Sequence, residues 1–207
     1  MKLRKYQEEI SNQAVQKLKE YKFVVLSLAV RTWKTITTLE TIKKYWAKRV
    51  LFLTKKRVVK WILEDYEHYK DDFEIYVTNY EQVHNIEWKF DIICLDESHT
   101  LATFPKPNNK YKQIKAKYGL LPMILLTGTM STESYSQYFH QIHVSNHTVW
   151  NTYQNFYKWC NSWYVKIWLI KTSYGWSNDY SRADYDKIMV DIWKYIITLS
   201  QEEAGFT

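Results

Sequence analysis

The sequence predicts an α/β domain with a central, mostly parallel β-sheet flanked by helices, followed by a C-terminal helical appendage. Three observations carry that expectation. Short apolar segments recur at 23–28, 50–53, 74–77, 91–95 and 123–126, and short continuous apolar runs suit strands buried on both faces of a parallel sheet. Helix-periodic segments lie between several of them, as crossover connections require. Hydroxyl, basic and acidic residues gather just after the apolar runs, at the strand ends where such sheets collect ligands.

Taken in order, Tyr6, Ile10, Ala14 and Leu18 fall four apart and place an amphipathic helix at the start of the chain. The run 23–28 follows as a strand, and a helix is expected to begin near Lys34. Segment 58–69 sets Val58, Ile62 and Tyr66 on one helical face. Residues 104–110, with Pro105, Pro107, Asn108 and Asn109, have turn chemistry and little to bury, so they read as a loop. Beyond Val149 the pattern becomes aromatic helix, polar stretch and helix, with Ile188, Ile192 and Ile196 again four apart. The division expected is therefore 1–149 for the sheet domain and 150–207 for the appendage.

Composition narrows the functional classes. The chain has 207 residues, enough for one well-buried domain and a smaller addition. Its net charge of +7 favours a polyanionic partner, because Lys and Arg that neutralise phosphates release condensed counterions. Cys94 and Cys160 stand far apart and outside any C-x-x-C pattern, which suggests neither a disulfide framework nor a zinc ribbon. No apolar run approaches the ~18 residues that span a bilayer, so no membrane contact is expected and a cytoplasmic location is.

Three strand-end motifs carry chemistry. The strand ending at Leu28 runs through Ala29-Val30-Arg31-Thr32-Trp33-Lys34-Thr35 into a helix, the position and order of a phosphate-binding loop. In such loops backbone N–H groups cradle phosphate, a lysine reaches the terminal phosphates and a hydroxyl ligates magnesium. Lys34 and Thr35 suit the last two roles, with Arg31, Thr32 and Trp33 forming the cradle. Glycine is missing before the lysine, where Trp33 stands, and that threatens both the backbone conformation and the approach of phosphate. The strand 91–95 ends in Asp96-Glu97-Ser98-His99, placing Asp96 to hold a metal and Glu97 to position water. The strand 123–126 ends in Thr127-Gly128-Thr129, whose hydroxyls can pass the state of the nucleotide to bound nucleic acid.

Phosphate loop, D-E-x-H and T-G-T in this order resemble superfamily-two helicases, and among them the Swi/Snf group. Leu3-Arg4-Lys5-Tyr6-Gln7 is similar to that group's opening L-R-x-Y-Q, which implies that Gln7 contacts adenine. Leu53-Thr54-Lys55 and Val77-Thr78-Asn79-Tyr80-Glu81 resemble its two motifs that touch the nucleic-acid backbone; the first usually has proline where Lys55 stands. The stretch from Leu126 to Gln141 is similar to the T-G-T-P-x-P-E-S-Y-S-Q pattern of such helicases in crAss-like tailed bacteriophages, with Met130 and Thr132 replacing the prolines.

The resemblance implies a RecA-like P-loop NTPase lobe using ATP and Mg2+, with Lys34, Asp96 and Glu97 catalytic and Thr35 and Asp96 on magnesium. His99, Thr127, Gly128 and Thr129 would couple the sites, while Thr54, Lys55, Thr78, Asn79 and Tyr80 would meet DNA, mainly at its phosphates. It also implies a second lobe in the same or another chain, since the appendage leads to where that lobe would begin. The alternative expectation is a catalytically silent DNA-binding or assembly module on the same fold. His140, His143 and His147 read as structural rather than metal-binding, and the aromatic cluster from Tyr153 to Tyr164 as core.

Overall fold

A computed structural model describes residues 3–29, 32–131, 133–173 and 175–205. Helix α1 (Lys5–Tyr21) leads into β1 (Phe23–Leu28), and α2 (Lys34–Tyr45) into β2 (Arg49–Thr54). After α3 (Val59–Tyr66) come β3 (Glu74–Asn79), β4 (Ile92–Leu95), α4 (Asn109–Tyr118), β5 (Met123–Thr127) and α5 (Tyr138–His143). The chain continues through α6 (Phe156–Trp159), β6 (Trp168–Thr172), β7 (Gly175–Asp179), α7 (Tyr185–Ile192) and β8 (Ile196–Leu199).

Six strands form one sheet in the order β3-β2-β4-β5-β1-β8, and every neighbouring pair is parallel. The apolar runs are continuous because both faces are covered. Phe23, Val25, Ile93, Leu95, Met123 and Leu125 point into one core, and Val24, Leu26, Ile92, Cys94, Ile124 and Leu126 into the other. Ile10, Ala14 and Leu18 of α1, Leu39 and Ile42 of α2 and Ile62 of α3 fill the second core. Tyr111, Ile114 and Tyr118 of α4, Phe139 and Ile142 of α5, and the aromatic C-terminal segment fill the first. Helix α1 does so with the face expected of it, since Ile10, Ala14 and Leu18 are all buried.

The C-terminal part departs from the expected helical appendage. It holds α6 and α7, but also an antiparallel hairpin of β6 and β7, and β8 adds to the main sheet beside β1. Ile196 continues the four-residue spacing of Ile188 and Ile192, yet α7 stops at Ile192 and a short 3-10 turn (Trp193–Tyr195) intervenes. The run Ile196-Ile197-Thr198-Leu199 is β-branched and pairs along Val25 to Leu28, so sheet pairing overrides the helical spacing. Trp150, Phe156, Trp159 and Tyr164 share a core with β1, β4 and β5, so the core runs continuously across position 149.

Two further differences concern the middle of the chain. The expected loop 104–110 gives way at Asn109 to α4, whose N-terminus is capped by Asn108 Oδ1 accepting from Tyr111 N at 2.9 Å. Within the aromatic cluster, Phe156, Trp159 and Tyr164 are buried, whereas Tyr157 and Trp163 are exposed.

Candidate functional site

Because the sheet is parallel, the carboxyl ends of β1, β5 and β4 lie side by side, with β5 between the other two. Two inter-strand spacings amount to ~10 Å, a span that a lysine and an aspartate side chain can close from opposite sides. Lys34 opens α2 and is half-buried; its ammonium lies beside Gly128, where an added Cβ would stand 3.7 Å from Nζ. Its charge also reaches Asp96, holding that carboxyl lower than burial alone would leave it. Lys34 thus stands beside the T-G-T turn and within electrostatic reach of Asp96.

Trp33, immediately before Lys34, has the backbone shape that seemed to require glycine. Trp33 has φ 53° and ψ 47°, in the left-handed region, and its indole is 57% exposed. Of the two difficulties expected of Trp33, the backbone shape is met and the bulk remains. Thr32 is buried, its hydroxyl donating to Ala29 O at 2.6 Å, and its own carbonyl accepts from the Tyr6 hydroxyl at 3.3 Å. Arg31 lies outside the described residues. Thr35 is half-buried in the first turn of α2. Gln7 is buried, and its Oε1 accepts from Arg4 N at 2.9 Å, so its carboxamide oxygen is used to start α1.

Asp96 and Glu97 are held firmly. Thr54 Oγ1 donates to Asp96 Oδ2 at 2.6 Å, Glu97 N donates to Asp96 Oδ1 at 3.0 Å, and the Tyr80 hydroxyl donates to Asp96 O at 2.6 Å. Burial raises the Asp96 carboxyl above its ordinary range despite the Thr54 hydrogen bond. Burial, with the Asp96 and Glu97 charges added, pushes the Tyr80 phenol well above its own. Glu97 has φ 51°, a second left-handed residue, and its Oε1 lies 3.8 Å from Lys55 Nζ. His99 Nδ1 lies 3.2 Å from Glu97 Oε2 without hydrogen-bond geometry.

The raised Asp96 carboxyl has a measurable consequence. The fold disfavours the charged form, a cost absent below the unfolded carboxylate range and fully present once the pH exceeds the folded value. Asp96→Asn should therefore stabilise the ligand-free protein at pH 7, within the ~0.5–2 kcal/mol common for stabilising substitutions. The amide keeps both contacts, with Oδ1 accepting from Glu97 N and Nδ2 donating to a reoriented Thr54 hydroxyl. Urea unfolding reads the change, and a lower midpoint for the variant would refute it.

Thr127 is buried, and its hydroxyl donates to Thr129 O at 2.5 Å and accepts from Thr129 N at 3.2 Å, locking the turn on itself. Gly128 lies beside the Lys34 ammonium, and Thr129 is exposed.

At the ends of β2 and β3 an open groove of about 520 Å³ lies between Lys55, Lys56, Asn79, Glu81, Thr100 and Lys110. The residues expected to meet DNA divide here. Lys55 and Asn79 line the groove, Asn79 also accepting from Glu81 N at 3.1 Å, while Thr78 is half-buried within β3. Thr54 and Tyr80 also border it; both are buried and both hydroxyls donate to Asp96. Lys56, Thr100 and Lys110 are groove residues that the motifs did not mark. Lys110 pairs with Glu81 at 2.9 Å and sits 5.7 Å from the centre of the Tyr80 ring.

Two other lysines of α4, Lys115 and Lys117, turn their ammoniums onto the chain itself. Lys115 Nζ donates to His143 O, Asn146 Oδ1 and Asn151 Oδ1, and Lys117 Nζ to the carbonyls of Val83, His84 and Ile86. These ammoniums tie the connection after β5 and the turn after β3 to α4. His140 and His143 are buried against carbonyl oxygens, and His147 Nε2 meets Leu120 O at 2.9 Å.

No protein-family profile matches the chain, and no curated protein matches it. Among solved structures, the helicase domain of Hef from Pyrococcus furiosus is similar with a TM-score of 0.55 at 17% identity, over 69% of this chain and 36% of that one. An ATP-dependent Type ISP restriction-modification enzyme, LlaBIII bound to DNA, aligns at a TM-score of 0.48 and 16% identity, over 65% of this chain and 14% of that one. This chain therefore spans little more than a third of the Hef chain and a smaller share of the other. The likeness to Hef shows a helicase-like α/β fold. No helix among the described residues is long and apolar enough to cross a membrane.

Proposed function

We propose that this chain is the ATP-binding lobe of a Swi/Snf-type DNA helicase or translocase of the kind found in crAss-like bacteriophages. The observation that carries the reading is the meeting of Lys34, Gly128 and the Asp96–Glu97 pair at adjacent ends of parallel strands. A cation beside a glycine turn and a buried carboxylate within its electrostatic reach suit a magnesium triphosphate, and each Asp96 oxygen accepts one hydrogen bond and keeps a further lone pair. In this reading Lys34 neutralises the terminal phosphates, Thr35 and Asp96 hold magnesium, and Glu97 orients the attacking water. Gln7 recognises adenine through Nε2, because its oxygen serves α1. Bound Mg-ATP would supply the cleavable phosphoanhydride; what these side chains contribute is position and charge.

DNA is the proposed partner, held by its phosphates along the groove of Lys55, Lys56, Asn79 and Lys110. His99, Thr127, Gly128 and Thr129 lie between groove and nucleotide and would couple the two. A second lobe, in this polypeptide or another, would bring an arginine finger worth ~10³-fold or more in rate. The silent-module alternative is favoured by one observation, the exposed Trp33 indole at the phosphate loop. Phosphate release with and without duplex DNA, and with an added second lobe, separates the two readings. Titration with a fluorescent ATP analogue should give saturable binding that Lys34→Ala weakens at least ~10-fold, the equivalent of one charge-assisted contact. Equal affinity in that variant would remove Lys34 from the site.

A further inference from the structure

We propose that Lys55 is a positioning residue that couples the groove to Glu97: a phosphate in the groove draws the Lys55 ammonium away from the Glu97 carboxylate and frees Glu97 for its work on water. The inference rests on the nucleotide and DNA roles proposed above. Glu97 Oε1 lies 3.8 Å from Lys55 Nζ, an ion-pair distance, while Oε2 lies 3.2 Å from His99 Nδ1 without hydrogen-bond geometry. The left-handed backbone at Glu97, φ 51°, fixes where its side chain leaves the strand end. Lys55 lies at the opposite end of the contact, among the residues that line the groove.

The pair is built to exchange. Its side chains are 42% and 33% exposed and its atoms 3.8 Å apart, so it is a loose, solvent-screened ion pair. Phosphate oxygens compete well for such an ammonium, and every phosphate held releases counterions. The groove also contains Lys56 and Lys110, so a polyanion is drawn to the place where Lys55 must choose between partners. Proline, usual at this position in the resembling motif, offers no charge to exchange, which makes the device a property of this sequence.

Linkage gives a test that needs no turnover. If DNA draws Lys55 from Glu97, removing the Glu97 charge must tighten DNA by the same factor. Binding of a labelled duplex at low salt, without nucleotide, is measured for the whole chain and for Glu97→Gln, Lys55→Met and the double variant, each checked for folding by its thermal midpoint. Glu97→Gln should bind about two- to five-fold tighter, the range of a partly exposed ion pair. Lys55→Met should bind more weakly, with a salt slope shallower by about one. In the Lys55→Met background Glu97→Gln should bring no further tightening, which distinguishes a specific competition from the general gain of positive charge. An unchanged Glu97→Gln affinity, or tightening that persists without Lys55, overturns the inference while leaving DNA binding intact. Failure of the parent chain to bind DNA overturns the DNA reading and this inference together.

Discussion

Between pH 7 and pH 5 the protein should lose about 2 kcal/mol of folding stability for each of two buried histidines, His140 and His143. Burial lowers both imidazoles from 6.5 to about 4. His143 is flanked as well by the Lys115 ammonium, which donates to its carbonyl. Its Nε2 meets Tyr153 O at 2.8 Å and its Nδ1 meets the Tyr111 hydroxyl at 2.5 Å. A carbonyl only accepts, so Nε2 carries the hydrogen and Nδ1 accepts from Tyr111; a second proton would displace that donor. His140 in turn gives its Nδ1 hydrogen to Thr103 O and lies among Tyr111, Phe139 and Phe156.

With the folded values depressed, the unfolded chain binds protons between pH 6.5 and about 4 that the fold refuses. Stability is full above that window and falls as the pH drops through it. Asp96 acts in the opposite sense, because its folded carboxyl accepts a proton before the unfolded one does, but it is one group against two. A combined loss near 4 kcal/mol is a large share of the ~5–15 kcal/mol that holds a domain together. Urea unfolding across this range measures it, and His143→Gln should remove about half of the dependence whatever it does to absolute stability. An undiminished slope in that variant would place the acid sensitivity elsewhere.

These histidines show what the sequence could and could not convey. Their spacing invites a metal site, and only the absence of neighbouring ligands argued for a structural role; their partners, Thr103, Tyr111 and Tyr153, are 37, 32 and 10 residues away. Strands were legible for a local reason. A strand covered on both faces is apolar at nearly every position, so β1 was readable at its full length from Phe23 to Leu28, with Ser27 as its one polar residue. Helix α4 was hidden because Lys110, Lys112, Lys115 and Lys117 dominate its composition, although Tyr111, Ile114 and Tyr118 already fall on one face. Ile196 misled because its spacing continues that of Ile188 and Ile192, and only pairing with Val25, far back in the chain, identifies it as a strand.

At the site the same division holds. Lys34, Asp96 and Glu97 were legible because each follows a recognisable strand, and parallel pairing then brings strand ends together without further information. The motifs that hold Thr54 and Tyr80, read singly, point to nucleic acid and carry no sign of Asp96. Their engagement with Asp96 bridges 42 and 16 residues and depends on strand order, which no local pattern encodes. Lys110, Lys112, Lys115 and Lys117 form a positive run that reads more readily as a solvated face than as a track along a DNA backbone; the place of Lys110 in the groove follows from where α4 packs, not from the lysines around it.

Replacing Trp33 should raise nucleotide affinity about ten-fold or more, and two substitutions distinguish the cause. The left-handed backbone costs a non-glycine residue on the order of 1–2 kcal/mol, and the chain already bears that cost in the folded state. Because the left-handed conformation of Trp33 belongs to the fold, its strain is expected to weaken folding rather than binding. In the proposed reading, what would oppose the phosphates is the exposed indole, which stands immediately before Lys34. Trp33→Ala removes the bulk and keeps the strain, whereas Trp33→Gly removes both. Both variants should therefore bind an ATP analogue at least ~10-fold more tightly than the parent, a gain of about 1.4 kcal/mol. They should differ from each other mainly in unfolding midpoint, where glycine offsets part of its relief by the ~0.5–1 kcal/mol of chain entropy it adds to the unfolded state. Tight binding by the glycine variant alone would make backbone freedom the limiting property, and no gain in either would clear Trp33 and turn attention to the paired carboxylate of Glu97.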